Sequence, residues 1–550
     1  MTVDAYDFVI VGGGSAGCVL AHRLSEDSDV RVLLLEAGGT DWNPLIHIPL
    51  GVGKIRQARM YDWGYDTEPE PNLNNRKIEI FRGKVLGGSS SINFMGHNRG
   101  NRSDYERWAR SGLPGWSYEN LLPYFKRTET WRDGSAPHRG TSGPLGVRYT
   151  CRSDPLGWAI LDAARSAGIP IFDDVNGAEP DGFGLAQSAI DYGRRASSAR
   201  AFLRPALSRK NLTVKTRSLA TRIIFEGKTA VGLEYLKGGA LCRVRAEREL
   251  ILAAGAINSP QLLMLSGIGD ADQLRPLGVR STLHLPGVGA NLQDHLAVSV
   301  AHRRIGAESP LHRTLRADRL ALALIRAYIM GDGPAADVPS GVSAVLRSRA
   351  GLDAPDIQYL FGSGTLEAKP WFPGLGTGWR DMFNLRGVAL HPESCGTVSL
   401  VSADPTQKVR IQANFLSTSN DLDTLRESVR IARDVFRQKA LDPFRGEEIS
   451  PGPHCTSVAD IDAFIRKTAV TVYHPSCTCR MGQDELAVVD PELRVRGIER
   501  LRVVDASVMP DLVSCNINAC VLVIAERASD LIRGRPMLPA EIADLAVASA

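Results

Sequence analysis

The hexapeptide Gly12-Gly13-Gly14-Ser15-Ala16-Gly17 follows the apolar run at 6–11 and precedes a helix-like stretch at 15–25. In such a G-x-G-x-x-G turn the first glycine makes the sharp bend, the third position lets backbone approach a pyrophosphate, and the last lets helix and strand pack closely. The free N–H groups at the helix start, around Ser15 and Ala16, then hold phosphate oxygens. Glu36 ends the next apolar run, followed by Ala37, where a carboxylate accepts hydrogen bonds from a ribose hydroxyl. A second loop, 82–93, reads RGKVLGGSSSIN, and its glycines suit close backbone approach to a flat ring or a further phosphate. His474 stands between Tyr473 and Pro475, and Asn516 and Asn518 lie in VSCNINAC. A neutral imidazole titrates near working pH and takes a proton from a group within hydrogen-bond reach. A histidine beside proline is also a common structural residue, so type and spacing alone do not choose. No G-x-S-x-G elbow appears, which leaves acyl transfer by a serine unsupported.

The elements that must hold these residues read as an α/β fold. YDFVIV (6–11) and VRVLLLE (30–36) are buried parallel strands flanking the helix 15–25. RELILAAGA (248–256) followed by the helix NSPQLLMLSG, and LRVVDAS (501–507) followed by the helix 518–532, repeat that style hundreds of residues later. The simplest architecture is a Rossmann-like sheet assembled from discontinuous segments, with a substrate domain inserted between them. The boundaries expected are 1–155, 196–295 and 476–540 for the nucleotide domain, and 156–195 with 296–475 for the other. The inserted part carries strand-like TVSLVS (397–402) and VRIQANF (409–415), then an amphipathic helix at 421–438. The alanine-rich tail after Pro539 reads as a peripheral helix or frayed end.

A chain of 550 residues exceeds one ordinary core, and 43% hydrophobic with 23% charged residues is the balance of a globular protein. The net charge of +4 is dispersed, with no basic run that would mark a nucleic-acid partner. The N-terminus lacks a basic region and cleavage site, and no apolar run reaches the roughly 18 residues of a membrane span. Nine cysteines, odd and dispersed, fit a reduced cytoplasmic setting, with surface attachment to a membrane left open. Cys477 and Cys479 form a C-x-C pair without a second pair at zinc-site spacing, so no metal is expected.

The stretch Gly83 to Gly100 resembles the first signature of the glucose–methanol–choline (GMC) oxidoreductase family, and Gly255 to Leu263, ending in SGIG at 266–269, resembles its second. LPGVGANLQDH (285–295), Tyr473-His474-Pro475 and VVDASVMP (503–510) are also similar to the family and stand in its order. The likeness covers nearly the whole chain and is nearest to the choline-dehydrogenase-like branch. It implies the GMC fold: an FAD-binding domain plus a substrate domain with an antiparallel sheet flanked by helices. It implies FAD as the cofactor, contacted by Gly12, Gly14, Ser15, Ala16, Glu36, Ala37, Val85, Gly87, Gly88, Asn93, Met95, Gly96, Asp505 and Ala506. Ala220 stands where relatives carry a valine against the adenine. Some relatives tether the flavin through a histidine in the second loop; the matching residue here is Ile92, and His97 is out of register, so the flavin is expected to be non-covalent.

The resemblance further implies oxidation of an alcohol, with His474 as base and Asn516 as its partner at the alcohol oxygen, Asn518 being the alternative flavin-facing amide. The Asp294-His295 pair is expected to be structural. Trp63 and Tyr473 would offer aromatic faces to substrate. Ungapped alignment puts Gly341 where many relatives carry a glutamate, which weakens the case for a cationic substrate such as choline. An uncharged primary alcohol, bulky or aromatic, is therefore expected, with choline as the alternative and a lyase of the hydroxynitrile type as the rival of another class. The electron acceptor, oxygen or a quinone or protein, and the oligomeric state are not legible.

Overall fold

The computed structural model describes residues 4–134, 136–150, 152–178, 180–365, 368–375 and 379–541. Strand β1 (Asp4–Val11), helix α1 (Ser15–Leu24) and strand β2 (Val32–Leu35) form the opening unit read from the sequence. β3 (Leu212–Lys215) adds in parallel to β2, and β4 (Ser218–Glu226), β5 (Thr229–Lys237) and β6 (Ala240–Leu252) follow as an antiparallel meander. β6 is longer than the sequence suggests. Its first half is the return arm of a hairpin across Gly238 and Gly239, both at positive φ, and its second half lies parallel to β1. The order is β3-β2-β1-β6-β5-β4, and helix α2 (Gly255–Leu265) leaves the end of β6.

The second sheet comprises β7 (Leu296–Arg304), β8 (Val342–Leu346), β9 (Ile357–Ser363), β10 (Met382–Ala389) and β11 (Arg445–Ser450), with the strand Gly182–Leu185 at the far edge. Its order, β11-β7-β10-β9-β8 and then Gly182–Leu185, is antiparallel at every pairing. Helix α3 (Ser419–Phe436) presents Leu422, Leu425, Val429, Ala432 and Phe436 as its buried stripe. The strands expected at 397–402 and 409–415 are shorter and form their own two-stranded ribbon. The chain then returns: β12 (Leu501–Val503) pairs in parallel with β6, and α4 (Asn518–Ile532) packs beside α1. The α/β architecture with a discontinuous nucleotide-binding sheet and an antiparallel second sheet is thus as expected. The tail from residue 542 lies outside the described residues.

The first turn shows why glycine is required. Gly12 has φ of +104°, and a Cβ there would lie 2.5 Å from the Ala253 carbonyl oxygen. At Gly17 a Cβ would lie 1.9 Å from the Gly12 oxygen, so α1 sits on β1 only because nothing projects between them. Gly17→Ala is expected to destabilise the protein by at least about 2 kcal/mol through this overlap. An unchanged urea midpoint would mean that α1 moves off the sheet without cost.

Candidate active site

A cavity of about 860 Å3 runs from the glycine turn after β1 to the exposed-to-cavity face of the second sheet. Gly12, Gly14, Ser15, Ala16, Glu36, Ala37 and Ala220 line one end, and His474, Asn516, Gln358 and Arg386 line the other. Gly88, Asn93, Met95, Gly96, Asp505, Ala506 and Asn518 are also on its wall. Residues from the chain's first hundred, its middle and its last fifty therefore share one space.

At the first end, no side chain caps α1, so the amide groups of its opening turn remain available to an anion. Ser15 Oγ donates to Asn518 Oδ1 at 2.7 Å, which ties the start of α1 to the start of α4. The Glu36 carboxylate accepts from Gly13 N at 2.9 Å and Gly38 N at 2.7 Å, leaving lone pairs on both oxygens for a hydroxyl. Burial pushes its pKa up to about 7, against the two amides and Lys84. A Cβ on Gly88 would lie 2.7 Å from Gly14 Cα, so the second glycine loop closes directly on the first. Bare backbone, unpaired helix-start amides and a carboxylate at the end of β2 fit a dinucleotide. Ile92 lies buried on the wall, and His97 Nε2 sits 3.2 Å from the Glu129 carboxylate.

Three further expected residues, Val85, Gly87 and Gly341, are not among those lining the cavity. Val85 packs with Ile46, Ile55, Phe81 and Ile92, and its carbonyl accepts from Gly88 N at 2.7 Å. Gly87 donates its N–H to the Gly13 carbonyl at 2.7 Å, holding the two loops together. Gly341 is buried, its carbonyl accepting from Ala186 N at 3.1 Å, while Ser340 and Val342 on either side face the cavity. Asp505 reaches the wall, but its oxygens already accept from Gly255 N, Ser259 Oγ, Ser507 N and Ser507 Oγ. Its carboxylate anchors the join of α2 to β12.

At the other end the segment entering His474 is held by the turn before β7. Asp294 accepts from His474 N at 2.7 Å and from the Thr471 hydroxyl, and Tyr473 N donates to Thr471 Oγ1 at 2.8 Å. These bonds hold Tyr473 at φ of 68°, a left-handed conformation costly for a bulky side chain. The Arg82 guanidinium donates to the Tyr473 carbonyl from the second glycine loop.

The ring protons follow from the partners. His295 Nε2 lies 3.0 Å from the Leu390 carbonyl oxygen, which only accepts, so that nitrogen carries hydrogen. Burial pushes the His295 pKa down to about 3, so its Nδ1 is bare. His474 Nδ1 lies 2.9 Å from that Nδ1 and must therefore be the donor. The proton of neutral His474 is thereby placed on Nδ1, and Nε2 is left as a free base beside Asn516 Nδ2 at 3.4 Å. Gln358 Nε2 donates to Asn516 Oδ1 at 3.4 Å, which fixes the amide with its N–H groups toward the histidine. Burial, then His295, then Arg82 hold the His474 pKa well below that of an ordinary histidine.

Trp63 and Tyr473 both line the cavity, but each already faces a cation of the protein. Lys84 Nζ lies 4.4 Å from the Trp63 ring centre, and the Arg56 guanidinium lies 5.3 Å from that of Tyr473 while donating to its hydroxyl at 2.6 Å. The sequence did not reveal His295, Gln358 or Arg386. Position in the turn LPGVGANLQDH marked His295 only as part of a family-like loop, and strand alternation was the one signal for Arg386.

Two models described as GMC oxidoreductase match residues 6–297 and 392–525. The chain is 45% identical over 552 residues to the mitochondrial choline dehydrogenase of Mus musculus, spanning 97% of this chain and 90% of that protein. It is 43% identical over 551 residues to an oxygen-dependent choline dehydrogenase of Staphylococcus xylosus, spanning 98% and 97%. Among solved structures, pyridoxine 4-oxidase from Mesorbium loti matches with a TM-score of 0.86 at 34% identity, covering 96% of this chain and all 100% of that one. A formate oxidase of Aspergillus oryzae matches with a TM-score of 0.89 at 28% identity, covering 97% and 99%.

In nitrogen NMR of protein labelled at histidine, His474 is expected to show a protonated Nδ1 and a bare Nε2, and to stay neutral as pH falls through about 6.5. The sign follows from the depressed pKa: its protonation comes only at a pH below that of a free histidine. Titration at 6.5 or above, or an Nε2–H tautomer, would contradict the His295 contact.

Proposed function

The chain belongs to the GMC oxidoreductase family, and we propose that it is an FAD-dependent enzyme oxidising a primary alcohol to the carbonyl compound, with His474 as the base. The observation that carries this is the bare Nε2 of His474 beside Asn516, in the same cavity as the glycine turn and Glu36. Gly12, Gly14, Ser15, Ala16, Glu36, Gly88 and Asn93 would hold FAD without a covalent bond. Bound FAD supplies the acceptor for the hydride that leaves the alcohol carbon.

The alcohol O–H donates to His474 Nε2, and an Asn516 N–H donates to the alcohol oxygen as negative charge grows there. Gln358 keeps the Asn516 carbonyl turned away from that oxygen. When His474 takes the proton, its Nδ1–H stays on His295, whose own Nε2–H stays on Leu390. His474 needs no deprotonation first, because its surroundings already keep it neutral.

The substrate reading is an alcohol with a bulky or aromatic body and no positive charge. Among the described lining residues the carboxylates are Glu36 and Asp505, both engaged at the dinucleotide end, and Trp63 and Tyr473 already face Lys84 and Arg56. A quaternary ammonium there would meet cations rather than an open aromatic enclosure. Choline is the second reading, favoured by the names of the curated relatives. The acceptor is oxygen or another oxidant of the flavin. Among the described residues no helix is long and apolar enough to cross a membrane, and the eight described cysteines are unpaired, which supports a reducing compartment such as the cytoplasm.

Anaerobic bleaching of the purified flavoprotein against choline, aliphatic, benzylic and furanic alcohols tests the reading, with air readmitted to distinguish oxidase from dehydrogenase. Benzylic or furanic alcohols are expected to bleach it; choline alone doing so would reinstate the second reading, and bleaching by none would favour a lyase. His474→Ala should retain FAD and slow bleaching at least about 100-fold. His295→Phe should also retain FAD yet slow bleaching at least about 10-fold, because the tautomer of His474 is no longer imposed. Near-normal rates in either variant would remove that histidine from the mechanism.

A further inference from the structure

One row of the antiparallel sheet crosses the cavity: Ser299 on β7 faces Arg386 on β10, which faces Leu360 on β9. All three line the cavity, as do Met382 and Asn384, the residues four and two places before Arg386 on the same face of β10. Arg386 Nε donates to Ser299 Oγ at 3.3 Å, and among the described residues its terminal amino groups have no hydrogen-bond or carboxylate partner.

Several other buried arginines in this protein are matched, whereas Arg527, away from the cavity, lacks a carboxylate partner among the described residues and stacks on the Trp116 ring at 5.1 Å. Arg304 pairs with Asp154 at 2.8 Å, Arg139 pairs with Glu129 at 2.7 Å, and Arg195 donates to the Ile46 carbonyl and to both oxygens of Asn93. An unmatched guanidinium in a low-dielectric wall is costly, and an anion bound in the cavity would relieve that cost. Burial, against the Tyr473 phenol and with the nearby Arg56, pulls the Arg386 pKa down. Tyr473 is close enough for its phenol to act on Arg386. That hydroxyl accepts from Arg56 Nη2, so its own hydrogen is free to donate. A planar fork with five donors and a phenolic O–H suit one chemistry, a carboxylate.

Resting on the alcohol oxidation proposed above, we infer that Arg386 is a specificity-determining residue that receives a carboxylate at the end of the substrate remote from its hydroxyl. The substrate class is a hydroxy acid: its CH–OH group lies at His474 and Asn516, an apolar or aromatic body lies against residues such as Leu360 and Met382, and its carboxylate lies on Arg386 with Tyr473. The carboxylate makes and breaks no bond. The oxidation still moves one proton to His474 and one hydride to the flavin, and the uncharged hydroxyl end is the only part that changes.

The test uses holoenzyme and matched pairs: 3- and 4-(hydroxymethyl)benzoate and 6-hydroxyhexanoate, each against its methyl ester, by anaerobic flavin bleaching at varied concentration. At least one acid is expected to show an apparent Kd about 10-fold or more below that of its ester, the size of a charged hydrogen-bonded pair. Arg386→Leu should abolish that ratio, and Arg386→Lys should keep part of it. As a reading independent of turnover, benzoate should perturb the flavin absorbance of wild type more strongly than benzamide does, and lose this advantage in Arg386→Leu; the flavin spectrum itself reports whether each variant is folded. Esters matching or exceeding their acids throughout, or an acid preference that survives Arg386→Leu, would overturn the inference while leaving alcohol oxidation standing. If no alcohol bleaches the flavin but benzoate still binds through Arg386, the oxidation reading fails and the carboxylate site remains.

Discussion

The carbonyl of Leu390 can accept a hydrogen bond and cannot donate one, and the protonation of two histidines depends on that. It places hydrogen on His295 Nε2, which leaves His295 Nδ1 to accept from His474 and leaves His474 Nε2 bare. Both rings are buried, so neither can escape the arrangement by taking up water or a proton at ordinary pH. The His474 imidazole therefore presents a bare Nε2 to the cavity, as the proposed role of base requires. Asp294, by gripping the His474 amide and the Thr471 hydroxyl, holds the strained Tyr473 between them and fixes where the imidazole stands.

This arrangement needs both sheets. The glycine turn after β1 and the second glycine loop form one end of the cavity, and the antiparallel sheet forms the other, so a dinucleotide and a small molecule would meet at His474. Gly88 and Gly14 touch backbone to backbone, and Gly87 donates to Gly13, which is why a loop more than sixty residues away from the first turn can share one binding surface with it. Several residues expected as cofactor contacts also serve this joining. Val85 and Gly87 stabilise the loop from behind, and Asp505 locks α2 against the end of β12.

The charge on the cavity wall is what supports the proposed departure from the substrate that the relatives' names suggest. The relatives are choline dehydrogenases, yet the described wall near His474 offers a guanidinium without a counter-ion and two aromatic rings already facing cations. Overall identity reports the fold and the reaction, because glycine turns, the base and its anchors are spread over the whole chain. It reports substrate charge poorly, because that depends on a few side chains on one face of one sheet.

Local pattern was enough to read β1, α1, β2 and the glycine turn, since each depends on neighbours within a few residues and on steric rules for glycine. Resemblance of the ordered motifs extended this to FAD, His474 and Asn516. The sequence could not show that Gly341 points its carbonyl into a strand pairing while Ser340 and Val342 take the wall, because a shift of one residue along a strand exchanges its two faces. Nor could it show the roles of His295 and Arg386. The first depends on a carbonyl 95 positions away; the second depends on which carboxylates fail to come near it. What the sequence by itself determined was the kind of chemistry, carried by residue types in local turns and ordered motifs. Only the tertiary structure decided the tautomer of the base and the charge presented to the substrate, because both are set by groups brought together in space from distant parts of the chain.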